Sequence, residues 1–516
     1  MAESTPPRFF SRAQAPAIAA ALFSGLVLKL VSPPYGLAFI HWLTFVPLFV
    51  VVATDDRKRN FKLGYLSGFF AVWTLFFWLA QTIDLFSNIP LALAALIIAL
   101  FAAVWGLPYG LLAMALHPLR RRFGAWWVLL YPCVWVAGEF LQPALFPYYQ
   151  GVGQYRTPYT WQLASVIGAM GVSWLVIATN AAVAELALSR GARRSLLPFG
   201  IVLALFLGNL GFGYQRFHAV EATLSGAPIA RVSLLQQGVT MVQRIQDRGS
   251  EVFKSWMELT AKVVDDKPDL VVWPEGSIYY NPTDKRVQPV FEKMTTDHGF
   301  AFLVGGGTRE ADPDDPSKRA SWNSAYLFGR DGKIAGRYDK MVPMPFGEYL
   351  PWPFSYLDRW IEGVGHFRAG TIPTVFDAGK FTFTTPICYE AILEKQMRVL
   401  SETDAYVNIT NDGWFGDTSA PHQHAMLSAA LAMEMGRPML RIAYTGISMV
   451  VEPHGVIKHE TRPYTEVAEV VELRLAKFDT PYRSWGRYFP WACALVAVAA
   501  LGLARQRAVT PAPPAA

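Results

Sequence analysis

Cys388 closes the run Thr385-Pro386-Ile387-Cys388-Tyr389-Glu390, at the end of an apolar and β-branched stretch over Phe381 to Ile387. A nucleophile that ends a strand and begins a turn presents its sulfur together with the next backbone N–H, an arrangement suited to attack on a carbonyl. A free thiol has a pKa of about 8.5 and is only slightly ionised at neutral pH, so it needs a base. Glu275, in Val271-Val272-Trp273-Pro274-Glu275-Gly276, follows a predicted strand over Leu270 to Trp273. Apolar surroundings there raise a carboxylate's pKa and suit it to accept a proton. Attack builds negative charge on the carbonyl oxygen, which a fixed cation and backbone donors stabilise best. Lys340, in Tyr338-Asp339-Lys340-Met341-Val342-Pro343, follows a predicted hairpin strand and can supply that cation. Taken singly, each residue has a plainer reading: a surface Glu, a solvated Lys, an inert buried Cys. Cys388 nevertheless stands apart, because Cys133 and Cys493 fall inside apolar spans and three cysteines are too few for a disulfide framework. A lone thiol in an oxidising compartment is an oxidation risk and invites a functional explanation.

The elements around these residues alternate in type. Ile229 to Leu235 reads as a strand, Gln243 to Val264 as a helix, Leu270 to Trp273 as a strand ending at Pro274, Val287 to His298 as a helix, and Ala301 to Val304 as a strand. Ala325 to Phe328 and Lys333 to Tyr338 form a predicted hairpin around Asp331-Gly332. Phe381 to Ile387, Ala405 to Ile409, Leu440 to Tyr444 and Ile447 to Glu452 read as further strands, and Gln423 to Met435 as a helix. The series predicts a layered α/β domain with Glu275, Cys388 and Asn411-Asp412 just past strand ends, where open sheets place their chemistry. The segment Met341 to Tyr356 is rich in Pro, Met and aromatic residues. It reads as an irregular loop packed on the core or, beside a bilayer, as a lipid-facing lid; the lid is our expectation. His422 and His424, beside Pro421, read as a polar helix start, and no metal-ligand spacing is apparent. The Pro- and Ala-rich tail Ala508 to Ala516 is expected to be disordered.

Composition points to a second solvent. Hydrophobic residues make up 52% of the 516, charged residues 17%, and the mean hydropathy is +0.23. Of 40 acidic residues only six precede Val220. Eight apolar spans long enough for a bilayer can be read near 13–31, 36–54, 62–83, 89–116, 125–145, 160–189, 195–213 and 487–504, the second being weakened by Pro47. Basic clusters at Arg8 and Arg12, Arg57-Lys58-Arg59, Arg120-Arg121-Arg122, Arg190 with Arg193-Arg194, and Arg505 with Arg507 fall in every second loop, while the intervening loops carry Arg156 alone. That bias predicts a polytopic α-helical membrane domain of about eight spans with both termini cytoplasmic. The expected organisation is a membrane domain of seven helices over 1–213, an extracytoplasmic domain over 214–486, a last membrane helix over 487–504 and a cytoplasmic tail over 505–516. The first span follows two arginines but no cleavage site closes it, so it is read as retained. The net charge of +6 resides largely in loop arginines that suit anionic headgroups, and gives no reason to invoke nucleic acid.

Glu275, Lys340 and Cys388, in that order and with those flanks, together with Asn408-Ile409-Thr410-Asn411-Asp412-Gly413-Trp414-Phe415-Gly416, resemble the nitrilase or carbon–nitrogen hydrolase superfamily over residues 228–480. The resemblance implies an α/β nitrilase-like αββα sandwich with a Glu-Lys-Cys triad. With spans before and after that domain, and with Pro343-Met344-Pro345-Phe346-Gly347-Glu348-Tyr349 and Cys388-Tyr389-Glu390, nearly the whole chain resembles the apolipoprotein N-acyltransferase family. That likeness implies Glu275 as base, Lys340 as oxyanion stabiliser and Cys388 as nucleophile, with Glu348 assisting and Tyr389 and Glu390 supporting the nucleophile's geometry. It implies ping-pong transfer of an acyl chain from a phospholipid, phosphatidylethanolamine in the typical case, through a Cys388 thioester to the α-amine of a diacylglyceryl-cysteine on an apolipoprotein. The implied setting is the bacterial inner membrane with the catalytic domain on the periplasmic side, a monomer, and no cofactor or metal. Val239 stands where the family pattern suggests Asn, as does Tyr444. Two other readings compete: a membrane-tethered amidase of the nitrilase superfamily, and a transporter or scaffold with an inactive exported domain. Against the latter stand the intact Glu275, Lys340 and Cys388 and the scarcity of charge inside the spans, Asp84 and Glu139 lying near span ends.

Overall fold

The computed structural model describes residues 14–87, 89–240, 243, 250–357 and 365–506. The basic residues Arg8, Arg12 and Arg507, residues 244–249 of the helix expected from Gln243, and the tail Ala508 to Ala516 lie outside the described residues. The first half is helical: α1 Ala15–Val31, α2 Val46–Val51, α3 Arg57–Leu75, α4 Trp78–Phe86, α5 Leu91–Trp105, α6 Leu107–Phe123, α7 Trp127–Leu141, α8 Ala164–Leu188 and α9 Arg193–Leu224. By length and composition, Leu91–Leu141, Trp161–Leu188, Arg193–Leu224 and the terminal Tyr488–Gln506 are long and apolar enough to cross a membrane. The span expected over 62–83 is broken instead: α3 and α4 meet at a 43° bend, and the two count as a fifth crossing only if taken together. The weak second span is a 3₁₀ turn, Ala38–Trp42, followed by the short α2, with Pro47 in its first turn. The helix expected to end at Gly213 runs on to Leu224 and delivers the chain directly to the first strand.

Two ends of the bundle differ in chemistry. At one, Glu185 near the end of α8 bonds the Arg120 side chain of α6, the Trp127 indole of α7 and the Ser195 hydroxyl of α9. The arginine-rich loops therefore gather there. At the other end α4 and the loop between α7 and α8 meet the α/β unit.

That unit begins with β1 Ile229–Gln236, α10 Ser250–Ala261, β2 Leu270–Ile278, α11 Gln288–His298, β3 Ala301–Ala311, β4 Arg319–Phe328 and β5 Ile334–Asp339. It continues with β6 Phe376–Asp377, β7 Thr382–Thr384, α12 Glu394–Val399, β8 Ala405–Thr410, α13 Ala420–Met435, β9 Met439–Ala443, β10 Met449–Val451, β11 Ile457–Lys458 and β12 Val467–Arg474. α14 Pro481–Trp485 and α15 Tyr488–Gln506 return the chain to the bundle. Two six-stranded sheets form, ordered β12-β1-β2-β3-β4-β5 and β11-β10-β9-β8-β7-β6.

Period-two alternation sorts the side chains. Leu270, Val272, Leu303, Ala325 and Leu327 face a core shared with Phe383, Tyr406, Ile409 and Ile442 of the second sheet. Val271, Trp273, Phe302 and Phe328 face the opposite way, onto Trp256 of α10 and Phe291 of α11. With α13 packed on the second sheet, the layers run helix, sheet, sheet, helix, the nitrilase-like sandwich expected. The core does not stop at the unit's edge: Trp78, Phe146, Val152, Trp161 and Val172 of the helical half join the same apolar cluster.

Several strands differ from expectation: β3 runs past Val304 to Ala311, β4 begins at Arg319 rather than Ala325, β10 is only Met449–Val451, and the changes in β2 and β7 bear on the site. β2 does not end at Pro274 but continues through Glu275 to Ile278, with a register shift against β3 after Trp273. Pro274 cannot donate to the ladder and the shift absorbs it. The neighbouring backbone passes so close to Gly305 that a Cβ there would sit 2.5 Å from the Pro274 carbonyl oxygen. β7 covers only Thr382–Thr384, so the stretch leading into Cys388 is extended chain tied to β8 by a single bridge between Ile387 and Ile409.

Candidate active site

Glu275 sits on the irregular part of β2, facing the second sheet. Its Oε1 accepts from Asn323 Nδ2 at 2.7 Å and its Oε2 from the backbone N–H of Asn411 at 2.8 Å. Lys340, the residue after β5, is 2% exposed. Its Nζ lies 2.7 Å from Glu348 Oε2 and 3.6 Å from Glu275 Oε1. Asn323 on β4 spans the two acids, donating also to Glu348 Oε1 at 2.7 Å, and its carbonyl accepts from the Lys340 N–H. Burial opposes the Lys340 charge, but Glu348, Glu275 and the Cys388 sulfur together outweigh it and hold the ammonium well above the usual lysine value. Burial likewise opposes the Glu348 charge, and Lys340 with bonds from Asn323 and the Met344 N–H holds that carboxyl below its ordinary value.

Cys388 opens a 3₁₀ turn, Cys388–Ile392, with φ at +52°. A side-chain-bearing residue in that left-handed region carries strain, which persists only where surroundings over-determine it. Glu390 is one such constraint. Buried, it accepts from Tyr338 Oη, from the Met341 and Val342 N–H groups and from the Ile387 N–H, clamping the turn to the segment after Lys340. Burial pushes the Glu390 carboxyl up to about 7 even against these donors. The thiol of Cys388 is raised by burial and by the Glu275 charge, with partial relief from Lys340. The two proposed partners of the thiol are thus both within electrostatic reach of it.

All six residues singled out from the sequence come together. Glu275, Lys340 and Cys388 meet between the sheets, Glu348 bonds Lys340, Glu390 clamps the turn, and Tyr389 points to the helical bundle. Tyr389 Oη donates to the Leu145 carbonyl at 2.8 Å, and its ring meets Phe146, which in turn contacts Trp78 and Phe415. The indole of Trp78 donates to Gln423 on α13 at 3.0 Å. α4 therefore bends off α3 to cover the Asn411–Gly416 segment beside the nucleophile. Within the aromatic loop, Met341, Val342 and Met344 pack on the core, whereas Phe346, Tyr349, Trp352 and Tyr356 are exposed.

Sequence reasoning missed Asn323, Arg441 and His424. His424, read as part of a polar helix start, is instead buried below Cys388, with Nδ1 2.7 Å from Asp412 Oδ1 and Nε2 3.3 Å from the Cys388 carbonyl oxygen. Asp412 is also bonded by Arg441, and although burial opposes its charge the Arg441 guanidinium and the bonds from His424 and Arg441 hold it down at about 2. A lone Arg within the apolar run Leu440-Arg441-Ile442 was a readable signal of a buried acid nearby. Glu221, Glu452 and His454 come close enough to ligate an ion. However, Arg474 pairs with both carboxylates and Lys458 with Glu452, so the group acts as a polar tie between α9 and the sandwich. Tyr444, a departure from the family pattern, is buried edge-on against Trp256 beneath α10.

Comparisons follow the same division of the chain. Residues 24–182 match the apolipoprotein N-acyltransferase N-terminal domain family and residues 232–479 the carbon-nitrogen hydrolase family. An apolipoprotein N-acyltransferase of Rhizobium meliloti is 32% identical over 474 residues, covering 84% of this chain and 85% of its own. Another, of Geobacter metallireducens, is 28% identical over 507 residues, covering 94% and 95%. Among solved structures, an amidase from Nesterenkonia sp. AN1 is similar at 19% identity and a TM-score of 0.37, covering 50% of this chain and 94% of its own.

Proposed function

Since the chain belongs to the apolipoprotein N-acyltransferase family and is a membrane enzyme of lipoprotein N-acylation, we propose that Cys388 carries the acyl group between a phospholipid and the acceptor amine. Glu275 takes the thiol proton as Sγ attacks the ester carbonyl of the donor, phosphatidylethanolamine being the expected one. Lys340 and the Tyr389 N–H receive the charge that develops on the carbonyl oxygen. Collapse breaks the ester C–O bond, and the lysophospholipid leaves with the proton that Glu275 returns. The α-amine of a diacylglyceryl-cysteine then attacks the thioester, Glu275 accepts its proton, and the amide forms as the thiol is restored. Glu348 keeps Lys340 charged and placed, which matters because a buried ammonium without a partner would shed its proton.

The observation that carries this reading is the meeting of Glu275, Lys340 and Cys388 in a buried site whose wall on one side is the helical bundle. A cavity of about 110 Å³, apolar on the side of Leu75, Phe76, Leu79 and Phe146 and polar at Glu139 and Gln150, is lined by Leu145, which bonds Tyr389. Its apolar side suits the first few methylenes of a fatty chain, and exclusion of water protects a thioester from hydrolysis. The same reading takes the exposed aromatics Phe346, Trp352 and Tyr356 as a lipid-facing lid. It also takes the arginine-rich end of the bundle as cytoplasmic, with eight crossings, both termini inside, and residues 214–486 on the periplasmic side.

Intact-protein mass spectrometry after incubation with phosphatidylethanolamine tests the chemistry. An acyl-sized mass increase on the wild type, absent from Cys388→Ala and discharged by a diacylglyceryl-cysteine peptide, is the expected result. No adduct, with small soluble amides hydrolysed instead, would sink the thioester reading in favour of an amidase.

A further inference from the structure

The nucleophile's backbone is gripped from below on both sides by one buried polar network. Asn408 Nδ2 donates to the Pro386 carbonyl at 2.8 Å, two residues before Cys388, and Asn408 Oδ1 accepts from Arg441 Nη1 at 2.7 Å. Arg441 Nη2 reaches Asp412 Oδ2 at 2.8 Å, Asp412 Oδ1 faces His424 Nδ1 at 2.7 Å, and His424 Nε2 faces the Cys388 carbonyl oxygen at 3.3 Å. The side chains of Arg441, Asp412 and His424 are 0%, 0% and 2% exposed, so these groups are shut off from bulk solvent.

The hydrogens on the ring follow from its neighbours. Both ring nitrogens face acceptors: Nδ1 lies 2.7 Å from a carboxylate oxygen of Asp412 and therefore donates to it, with Arg441 Nη2 passing 3.2 Å from the same nitrogen. Nε2 faces a carbonyl oxygen, which can only accept. A bare Nε2 there would set two lone pairs against each other in a dry site, so in the stable arrangement Nε2 carries a hydrogen and donates it to the Cys388 carbonyl. That carbonyl belongs to the peptide whose other end is the Tyr389 N–H. A donor on the oxygen of an amide withdraws electron density from it and strengthens its N–H as a donor, and linked hydrogen bonds reinforce one another in low dielectric.

The geometry points to His424 as a positioning residue that polarises the Cys388–Tyr389 peptide, so that the Tyr389 N–H binds the oxyanion of acyl transfer more strongly. This deepens the thioester reading and rests on it. His424 touches neither substrate nor sulfur; it acts through the backbone of the nucleophile. A purely structural ring would serve only to hold the turn at its positive φ, and the two roles part in what they do to the thiol's other reactions.

The test compares two reactions of the same sulfur at one pH. Thioester formation from phosphatidylethanolamine passes through an oxyanion, whereas alkylation by iodoacetamide is a displacement at carbon that forms none. His424→Phe keeps ring volume and removes the donor. Its acylation is expected to slow about tenfold or more, short of the roughly 100-fold cost of deleting an oxyanion donor outright. Alkylation is expected to stay within about threefold, and the KM for phospholipid within about twofold, because the lost interaction belongs to the transition state. His424→Gln, whose amide nitrogen reaches the Nε2 position, is expected to recover acylation, and His424→Asn, too short to do so, is not. If His424→Phe does not fold, the Gln and Asn pair decides. Equal acylation by Gln and Asn, unchanged acylation in Phe, or acylation and alkylation falling together would each overturn the inference. Wild-type enzyme in the same assay separates the two levels: no wild-type adduct refutes the thioester reading, while a normal wild-type adduct with any of those variant outcomes refutes only the role of His424.

Discussion

Single residues in the site work by trading burial against partners, and Glu390 shows how that trade depends on pH. Its carboxyl stands near 7 in the fold against 4.5 as a free side chain, with burial as the dominant cause. Below about 4.5 both folded and unfolded forms are protonated and Glu390 contributes nothing to pH dependence. Between about 4.5 and 7 the unfolded chain releases the proton while the folded one keeps it, so stability falls as pH rises; above 7 both are ionised and the cost levels off. Glu390→Gln should therefore remove part of the downward slope of stability between pH 5 and 7, read from thermal unfolding in detergent. An unaltered slope would contradict the assignment of that carboxyl. Lys340 is the contrasting case, a buried cation stabilised by two acids joined through Asn323, and its replacement would leave those acids facing each other unneutralised.

Secondary elements were legible where periodicity governs and obscure where tertiary contacts do. Short apolar and β-branched runs placed β1, β8 and β9 almost to the residue, because strands buried on both faces read as near-continuous apolar stretches, whereas β3 and β4 were found but extend through polar residues to Ala311 and back to Arg319. β2 was cut short because Pro274-Glu275-Gly276 reads as a stop, whereas the chain bulges and continues. The bend between α3 and α4 was invisible in the aromatic run Trp73 to Trp78, since its cause lies in Gln423 and Phe415 far along the chain. His424 was passed over for the same reason: only the fold brings Asp412, Arg441 and the Cys388 carbonyl around it. The break inside α8 is another such feature. Gly168 has φ +74° there, the next N–H, that of Ala169, donates to Glu434 Oε1 at 2.7 Å, and a Cβ would lie 2.4 Å from the Tyr482 ring. Gly168→Ala is expected to destabilise the protein by about 1–3 kcal/mol through strain and overlap. Gly208→Ala on α9, where nothing lies within 4 Å, is expected to stay within about 0.5 kcal/mol. Equal melting temperatures for both variants would show that the break is not required.

At the scale of the whole molecule, the helical half and the sandwich share one apolar core, and the ties between Glu221, Arg474 and Glu452 add a polar seam. The proposed orientation makes a direct prediction. In intact spheroplasts, Ser317→Cys should react with a membrane-impermeant maleimide and Arg121→Cys should react only after the membrane is opened; both positions are exposed and the native cysteines are buried. Reversed labelling would overturn the orientation while leaving the site geometry intact. α15, the final element, packs against α6, α7 and α8, its Cys493 meeting Cys133, Val136 and Met170, and its Ala497 and Ala500 joining the bundle's interior. The closing piece of the bundle thus leaves the ribosome after the whole sandwich. Until it arrives, the nascent protein carries an open furrow along α7, and the entire sandwich must already have been synthesised ahead of it. Biogenesis of this enzyme is consequently a problem of order, in which insertion of one late helix completes what the earlier helices began.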